Sequence, residues 1–439
     1  MSHHHTVRPE VETYDVSPRV KTVSLVLMVV GAVLFGLGVF TNLEFPTRIW
    51  TTLLHNSYYF LAIGMTAMFY VTAQTIGYSG WVVLVSRIPE AMGGAIPVMA
   101  VIFGLTIFFG VEHIYEWAKP GAIEHDFTGL IGKKQPFLSK PFFFVASLIY
   151  LALWVGLTWM VRSNSYAHDT DAGIGRYLKA KKLSMLFLFV WAITSSTAVW
   201  HWFMSIDPHW FSTLYGWYTF CSAFVAGIAM TTLIVIYLKS RGHLKHVNDE
   251  HIHDLGKWMF AFSVAWTYLW FSQFMLIWYA NIPEETGYFF DRFASYKYLF
   301  FANFVINFLF PFLLLMTARA KRQIHLLSFV AVMVLIGHWI DYYLLAFPGA
   351  VKNAHYMISP AAGDHHSMLT LAGGGHGQAA AHGPVQLFNF GIGPLEIGAA
   401  LMFLGLFLFL TFRTLSKHSL VPVNHPFVKE SIEHQTHSI

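Results

Sequence analysis

The residues of this sequence that could do chemistry are ionisable side chains inside or at the ends of long apolar stretches. Charged groups are costly in such surroundings and usually mark a functional site. The main candidates are Glu112, His113, Glu116, His201, Asp207, His338 and Asp341. Histidines and carboxylates at neighbouring depths can pass protons through water, so this set is a candidate for proton handling. It is equally a candidate for a quinone site, in which a His and a carboxylate accept the two quinol protons.

Spacing indicates which of these side chains share a helix face. Glu112 and Glu116 are four residues apart, and His338 and Asp341 are three apart, so we expect each pair on one face. Further polar residues lie at similar depths along their apolar stretches: His55, Asn56, Gln273, Asn303, Asn307, Tyr342 and Glu396. We interpret them as support for the main candidates.

Other interpretations of this polar set remain open. The plainest is that the groups pair with one another and hold helices together. Two facing histidines among His55, His113, His201 and His338 would be able to ligate a haem iron. A transporter is disfavoured, because no Gly- or Pro-broken pair of stretches recurs in matching positions.

The composition indicates a polytopic membrane protein. Of 439 residues, 56% are hydrophobic and only 11% charged, against about 25% charged in soluble domains. The net charge of +4 is too small to argue for nucleic acid. Cys221 is the single cysteine, which excludes an internal disulfide, a four-Cys cluster and a Cys-based zinc site in this chain. Any metal centres near it must belong to partner subunits.

Ten apolar runs are long enough to cross a bilayer, which needs about 20 residues, and we call them spans. They cover about 22–41, 53–76, 95–117, 141–161, 183–205, 212–238, 257–280, 297–317, 323–347 and 393–413. The predicted fold is an all-α integral membrane domain over 22–413 that contains two four-helix bundles. Residues 1–21 form an N-terminal segment, whose opening MSHHH has no assigned function, and 414–439 form a tail. The first span is predicted to be a retained anchor.

Orientation follows from Lys and Arg, because cytoplasmic loops carry an excess of both. The side with both termini holds 19 of the 27, which predicts cytoplasmic termini. The stretch WHWFMSIDPHW (200–210) then reverses the chain on the outer side, because proline disfavours helix at Asp207. Ser212 and Thr213 are expected to cap the helix that follows.

The two halves of the spans differ in polarity. None of the 23 carboxylates falls in the inner half of a predicted span, whereas all of the candidates above are outer or central. A long outer loop over 348–392 is rich in Gly and carries His355, His365, His366, His376 and His382. Loops of this length are usually functional or disordered. We expect a mobile loop covered by a partner, with metal binding as the alternative; no metal ligands are assigned.

Four long motifs resemble one known family. SIDPHWFSTLYGWY (205–218) resembles the motif after the fifth span of polysulfide-reductase-type (NrfD-like) membrane subunits of alternative complex III. RIPEAMGGAIP (87–97), FSQFMLIWYANIPEETGY (271–288) and HWIDYYLLAFP (338–348) resemble further stretches of the same subunits, in the same order. The length and LLHNSYYFLAIG (53–64) favour the ActF-like type, often named the quinone-binding subunit, over the ActC-like, quinol-oxidising type.

The resemblance implies a subunit of a quinol:cytochrome c (electron acceptor) oxidoreductase in the inner membrane of a bacterium. It implies partners that carry the haems and iron–sulfur clusters: an iron–sulfur protein, a multihaem cytochrome c, a paralogous membrane subunit and small membrane subunits. A haem-copper oxidase is a further implied partner. The only small molecule expected on this chain is a quinone, menaquinone or ubiquinone. A structural subunit that docks an oxidase and conducts nothing is the alternative from another class.

Overall fold

The computed structural model describes residues 11–124, 126, 129–171, 173–358 and 391–435. Within these ranges the chain is helical and has no strand, and ten helices are long and apolar enough to cross a membrane. They are Pro18–Thr41, Pro46–Ile76, Arg87–Ile114, Lys140–Ala167, Ile174–Ile206, Leu214–Ser240, Asp249–Ala280, Lys297–Leu314, Ile324–Ala354 and Pro394–Leu415. Each of the ten predicted spans corresponds to one of them. We keep the names first to tenth span.

Several spans are longer than hydrophobicity alone predicts. The second begins at Pro46, since proline suits the first turn of a helix. The seventh begins at Asp249, where the Asn248 side chain accepts hydrogen bonds from the backbone N–H groups of Glu250 and His251. The ninth helix runs through Pro348 to Ile358, into the stretch predicted as loop.

The second and sixth spans form the centre of the molecule. In their most apolar stretches 78% and 83% of the residues are buried, against 17% in the first span. The second span packs on the third, fifth, sixth, ninth and tenth, and the sixth packs on the seventh and ninth. The buried faces of these helices form one continuous hydrophobic core.

The first and last described stretches of the chain meet at one end of the bundle, which we call the terminal end. The Leu420 N–H donates to the Glu12 carbonyl over 2.8 Å, and the Glu12 carboxylate lies 3.1 Å from His243 Nδ1. The opposite, distal end carries the reversal between the fifth and sixth spans. It also carries a distal helix, Pro283–Ser295, between the seventh and eighth spans.

The described part of the tail, residues 416–435, crosses the terminal end as a strap. Ser431 Oγ donates to the Trp81 carbonyl over 2.6 Å, and Asn424 donates to the Asp169 carbonyl over 2.7 Å. His434 Nε2 lies 2.9 Å from the Asp254 carboxylate, and its ring stacks on Trp81. The strap therefore connects the loops of several spans.

The first and tenth spans pack backbone to backbone through glycine. A Cβ added at Gly31 would lie 2.3 Å from the Met402 nitrogen, and one at Gly398 would lie 2.4 Å from the Phe35 nitrogen. Atoms cannot approach so closely, so only glycine permits this contact. The first span packs extensively against the tenth.

Candidate functional site

Asp341 is the centre of a buried polar cluster. Its carboxylate is 1% exposed and accepts hydrogen bonds from four side chains. Ser222 Oγ donates over 2.7 Å, Asn303 Nδ2 over 2.7 Å, Trp266 Nε1 over 3.0 Å, and the Tyr218 hydroxyl donates as well. The donors stand on the sixth, seventh and eighth spans, so four helices meet at this carboxylate.

His338 joins the cluster through Ser222. Its Nδ1 lies 3.0 Å from Ser222 Oγ. Ser222 has one hydroxyl proton and gives it to Asp341, so His338 Nδ1 must carry a proton and donate to the serine. In the neutral ring Nε2 is then an acceptor; it is buried and has no hydrogen-bond partner. The predicted pairing of His338 and Asp341 on one helix face is confirmed.

The eighth span places Asn303 through a local π-helix over Val305–Leu309. Pro311 has no N–H to give to the carbonyl four residues earlier, which favours such a distortion. Asn307 Nδ2 donates to Asn303 Oδ1 over 2.6 Å, which leaves Asn303 Nδ2 facing Asp341. Gly337 is required beside it, because a Cβ there would lie 2.1 Å from Asn307 Oδ1.

A small cavity leads from the distal side to Asp341. It has a volume of about 20 Å³, and Asp341, Tyr218, Gln273, Tyr288 and Arg292 are among its lining residues. A water molecule needs roughly 10–15 Å³ measured in this way, so the cavity has room for one or two. Pockets for drug-sized ligands are about 300–1,000 Å³, so the closed site is far too small for a quinone ring.

Arg292 brings a positive charge to this cavity. It is 4% exposed, and its guanidinium lies over the Tyr288 ring, 3.3 Å from the ring centroid. Its Nη1 donates to the Tyr288 carbonyl over 2.6 Å, and Nη2 donates to the Leu344 carbonyl over 2.9 Å. The other side of Tyr288 contacts Trp210 of the reversal, with ring centroids 3.9 Å apart. The distal helix lines the cavity through Tyr288 and Arg292, and the reversal packs on Tyr288.

Asp207 belongs to a separate group at the distal surface. Lys352 Nζ lies 3.7 Å from Asp207 and 3.9 Å from Asp291. Burial raises the pKa of the Asp291 carboxyl, and the charge of Lys352 opposes that rise. Asp207 therefore faces Lys352. Thr213 stands at the cap position of the sixth span without a side-chain capping bond.

The prediction that Glu112 and Glu116 share a helix face is wrong. The third span ends at Ile114 and Tyr115 is extended, so Glu116 lies beyond the helix. Glu112 is exposed and pairs with Lys140, while Glu116 lies 3.9 Å from His209. The His113 ring, next to Glu112 in the sequence, is parallel to the Trp50 ring, with ring centroids 6.3 Å apart. None of these contacts involves the Asp341 cluster.

His201 and the candidates of the second span have other partners. His201 stacks on Phe137 with centroids 3.8 Å apart, and its Nε2 is buried without a hydrogen-bond partner. His55 Nε2 lies 2.9 Å from the Trp339 carbonyl, and Asn56 Oδ1 accepts from Trp339 Nε1 over 2.8 Å. These bonds attach the second span to the ninth, beside the cluster.

Two further candidates stabilise helix contacts. The Tyr342 hydroxyl donates to the Thr219 carbonyl over 2.8 Å, which joins the ninth span to the sixth. Glu396 is buried and accepts from Arg48 Nε over 2.8 Å and from Arg48 Nη2 over 2.9 Å. It also accepts from the Gly393 N–H, which caps the tenth span.

Two helices extend past the predicted spans and carry buried carboxylates in these extensions. The third span begins at Arg87, so it includes Glu90, which is 3% exposed and accepts from Arg87 Nη1 over 3.0 Å. Asp254 is likewise buried in the first turns of the seventh span. The hydrophobic pattern of the sequence had assigned both carboxylates, Glu90 and Asp254, to loops. The available signal was Pro89, which suits the first turn of a helix.

No metal centre is formed by the described residues, among which no three His, Cys, Asp or Glu side chains are arranged to hold a metal ion. His365, His366, His376 and His382 lie outside the described residues, and so does the side chain of His355. The metal alternative for that loop stays a prediction.

Comparison of the chain with protein-family models and with curated proteins finds no match. The fold and the site define a class: a multi-pass, all-helical membrane protein with a carboxylate–histidine cluster buried between four spans.

Proposed function

We propose that this chain is an ActF-like membrane subunit of a quinol:electron-acceptor oxidoreductase of the alternative complex III type. In this proposal the Asp341 cluster handles protons close to the distal face. One observation carries it: three motifs that resemble this family meet at the cluster. Tyr218 and Trp210 come from 205–218, Gln273 and Tyr288 from 271–288, and His338 and Asp341 from 338–348.

The cluster has the groups that a short proton relay needs. A proton that reaches the Asp341 carboxylate from cavity water makes it neutral, and Ser222 then has no need to donate there. The transfer to Asp341 through Ser222 begins with a proton that binds the free lone pair of His338 Nε2: Nδ1 then passes its proton to Ser222 Oγ while the Ser222 hydroxyl proton moves to the ionised Asp341, which leaves a neutral ring and a neutral carboxyl. Asp341 then releases this proton to cavity water. The four neutral donors stabilise the ionised carboxylate between transfers.

A quinone at the same site is the second candidate. It is supported by the aromatic lining of the cavity, which includes Trp270, Tyr288 and Phe300. The volume of about 20 Å³ favours the proton role, because a ring would require the distal helix to move away. The ActC-like role and the non-conducting structural role remain as alternatives.

The proposal extends to architecture and partners. Spans two to five and spans six to nine would form the two four-helix bundles, which the packing of each set supports. Both termini would be cytoplasmic, with the distal end on the outer side of a bacterial inner membrane. The haems and iron–sulfur clusters would be carried by partner subunits, and a haem-copper oxidase would be a further partner.

The test is Asp341→Asn in the purified native complex. Quinol oxidation and proton release are measured together with subunit composition. We expect the complex to assemble and turnover to fall about 100-fold or more, since a positioned acid–base group contributes 10²- to 10⁴-fold. Glu112→Gln is the control, because Glu112 is an exposed carboxylate paired with Lys140. Normal turnover in Asp341→Asn would contradict the proton role of Asp341 and leave the structural role for this chain.

A further inference from the structure

A second polar cavity lies at the terminal end, opposite to the Asp341 cluster. Its volume is about 60 Å³, three times that of the distal cavity. The ends of the second and fourth spans, the starts of the third and fifth, and the strap form its walls. Its lining includes Glu90, Asn164, His168, Arg176 and His425.

Two side chains in this wall are buried and unsatisfied. His168 is 6% exposed, and neither of its ring nitrogens has a hydrogen-bond partner. Asn164 is 5% exposed, and its Oδ1 also has none, although its Nδ2 donates to the Arg176 carbonyl. Burial of such groups in a dry cavity is costly. The volume has room for about four to six water molecules, at roughly 10–15 Å³ each.

Charged side chains surround His168. The Glu90 carboxylate accepts from Ser165 Oγ over 2.7 Å and from Arg87 Nη1 over 3.0 Å. Burial lowers the pKa of His168, and the positive charge of Arg87 lowers it further. Arg176 acts in the same direction and Asp171 in the opposite one.

The strap closes the cavity towards the terminal side. Its residues Pro422, His425 and Phe427 form part of the wall. The His425 ring lies edge-on to His168, with centroids 5.9 Å apart. Asn424 attaches this part of the strap to the Asp169 carbonyl, directly after His168 in the chain.

We propose that the terminal cavity is a hydrated site, in which exchangeable water bridges His168 and Asn164 and keeps the imidazole in proton exchange with the terminal side. The strap controls that exchange as its outer wall. The ligand is water, and the exchanged proton moves between a water molecule and an imidazole nitrogen. The site lies at the opposite end from Asp341, so the inference does not depend on the function proposed above.

The test is hydrogen–deuterium exchange at the imidazole C2 position, followed by mass spectrometry on the full-length chain. This reaction requires solvent at the ring, and its rate follows the protonation of the ring. We expect His168 to exchange at least tenfold faster than His55, which is 0% exposed and bonded to the Trp339 carbonyl. Exchange at His168 as slow as at His55 would show a dry cavity and overturn the proposal.

Phe427→Ala tests the role of the strap, because it removes one wall of the cavity and no polar group. We expect C2 exchange at His168 to accelerate about threefold or more. Exchange at His55 should stay unchanged, which verifies that the variant is folded. An unchanged rate at His168 would reject the strap as the barrier.

Discussion

At the scale of single residues, the sequence predicted the two acid–base groups of the cluster and missed most of their partners. The three-residue spacing of His338 and Asp341 is a property of one helix, so it could be predicted. The donors Tyr218, Ser222 and Trp266 stand on other helices. Nothing in one sequence shows which helices pack together, and a Tyr or Trp in a span is usually interpreted as an anchor or as core.

Ser222→Ala tests the relay at this scale. The change removes the hydroxyl that bonds to both His338 and Asp341. We expect turnover of the native complex to fall about tenfold or more, since the proton path is interrupted while the acid and the base remain. Turnover assays with proton-release measurements check this.

Ser195→Ala is the matched control for that variant. Ser195 lies on the fifth span, and its hydroxyl donates to the Ala192 carbonyl of its own helix over 3.5 Å. Turnover of the complex with Ser195→Ala should equal that of the unaltered complex. Equal turnover in Ser222→Ala and Ser195→Ala would show that His338 and Asp341 do not exchange a proton through the serine.

At the scale of elements, the sequence predicted that each span exists, but it did not predict where the helices begin and end. Hydrophobicity detects the apolar middle of each helix, whereas its ends depend on caps and prolines such as Asn248 and Pro46. This difference decides where two carboxylates lie. The hydrophobic pattern placed Glu90 before the third span and Glu116 within it, whereas in the structure Glu90 lies inside that span and Glu116 lies beyond its end, in a short 3-10 helix.

Gly398→Leu should separate the first span from the tenth. A side chain at Gly398 would collide with the backbone at Phe35, and overpacking of this kind costs about 1–3 kcal/mol or more. Thermal unfolding in detergent should show a lower Tm. Gly36→Leu adds the same side chain to the first span, where a Cβ meets no atom within 4 Å, and should leave Tm unchanged. Equal effects from both variants would contradict the close packing.

Acid should release the strap. Burial, with help from His168 and Arg87, lowers the pKa of His425 from 6.5 to about 3. A released strap therefore binds a proton more readily than a docked one, so docking is strongest above pH 6.5 and weakens as pH falls towards 3. From pH 7 to pH 5, amide protection in the strap should fall roughly 20-fold, as measured by pH-corrected hydrogen exchange.

The control for the acid effect is His425→Phe. This variant keeps the aromatic ring between Tyr177 and Phe427 and removes the titration. The pair of His434 with Asp254 remains in both proteins, so the difference between them isolates His425. If strap protection in the variant falls as steeply with acid, His425 is not the responsible group.

At the scale of the whole molecule, two polar regions lie at opposite ends of one apolar bundle. Asp341 and its donors lie towards the distal end, and Glu90 with His168 lies at the terminal end. Between them the central spans contribute residues such as Met65, Thr66 and Met92, whose contacts are within the core. The sequence predicted the distal region alone, because it placed the terminal carboxylates in loops.

The excess of Lys and Arg at the terminal end predicts the orientation of the molecule in the membrane, with the terminal end in the cytoplasm. Single cysteines test it in a Cys221→Ser background, with a maleimide that does not cross membranes. Thr213→Cys at the distal end should be labelled in intact cells from which any outer membrane has been removed. Lys417→Cys in the strap should be labelled only after permeabilisation. Both positions are exposed, so the opposite pattern would invert the orientation.

The attachment of the first span to the tenth also has a consequence for biosynthesis. Roughly 350 residues separate Thr41 from Pro394. At about 5–20 residues per second, the ribosome needs roughly 20–70 seconds to complete the partner helix after it has released the first one. During that time the first helix stands alone in lipid with its glycine face uncovered. A nascent chain that stalls before the last span would therefore present an unpaired helix, which membrane quality-control proteases would be able to recognise.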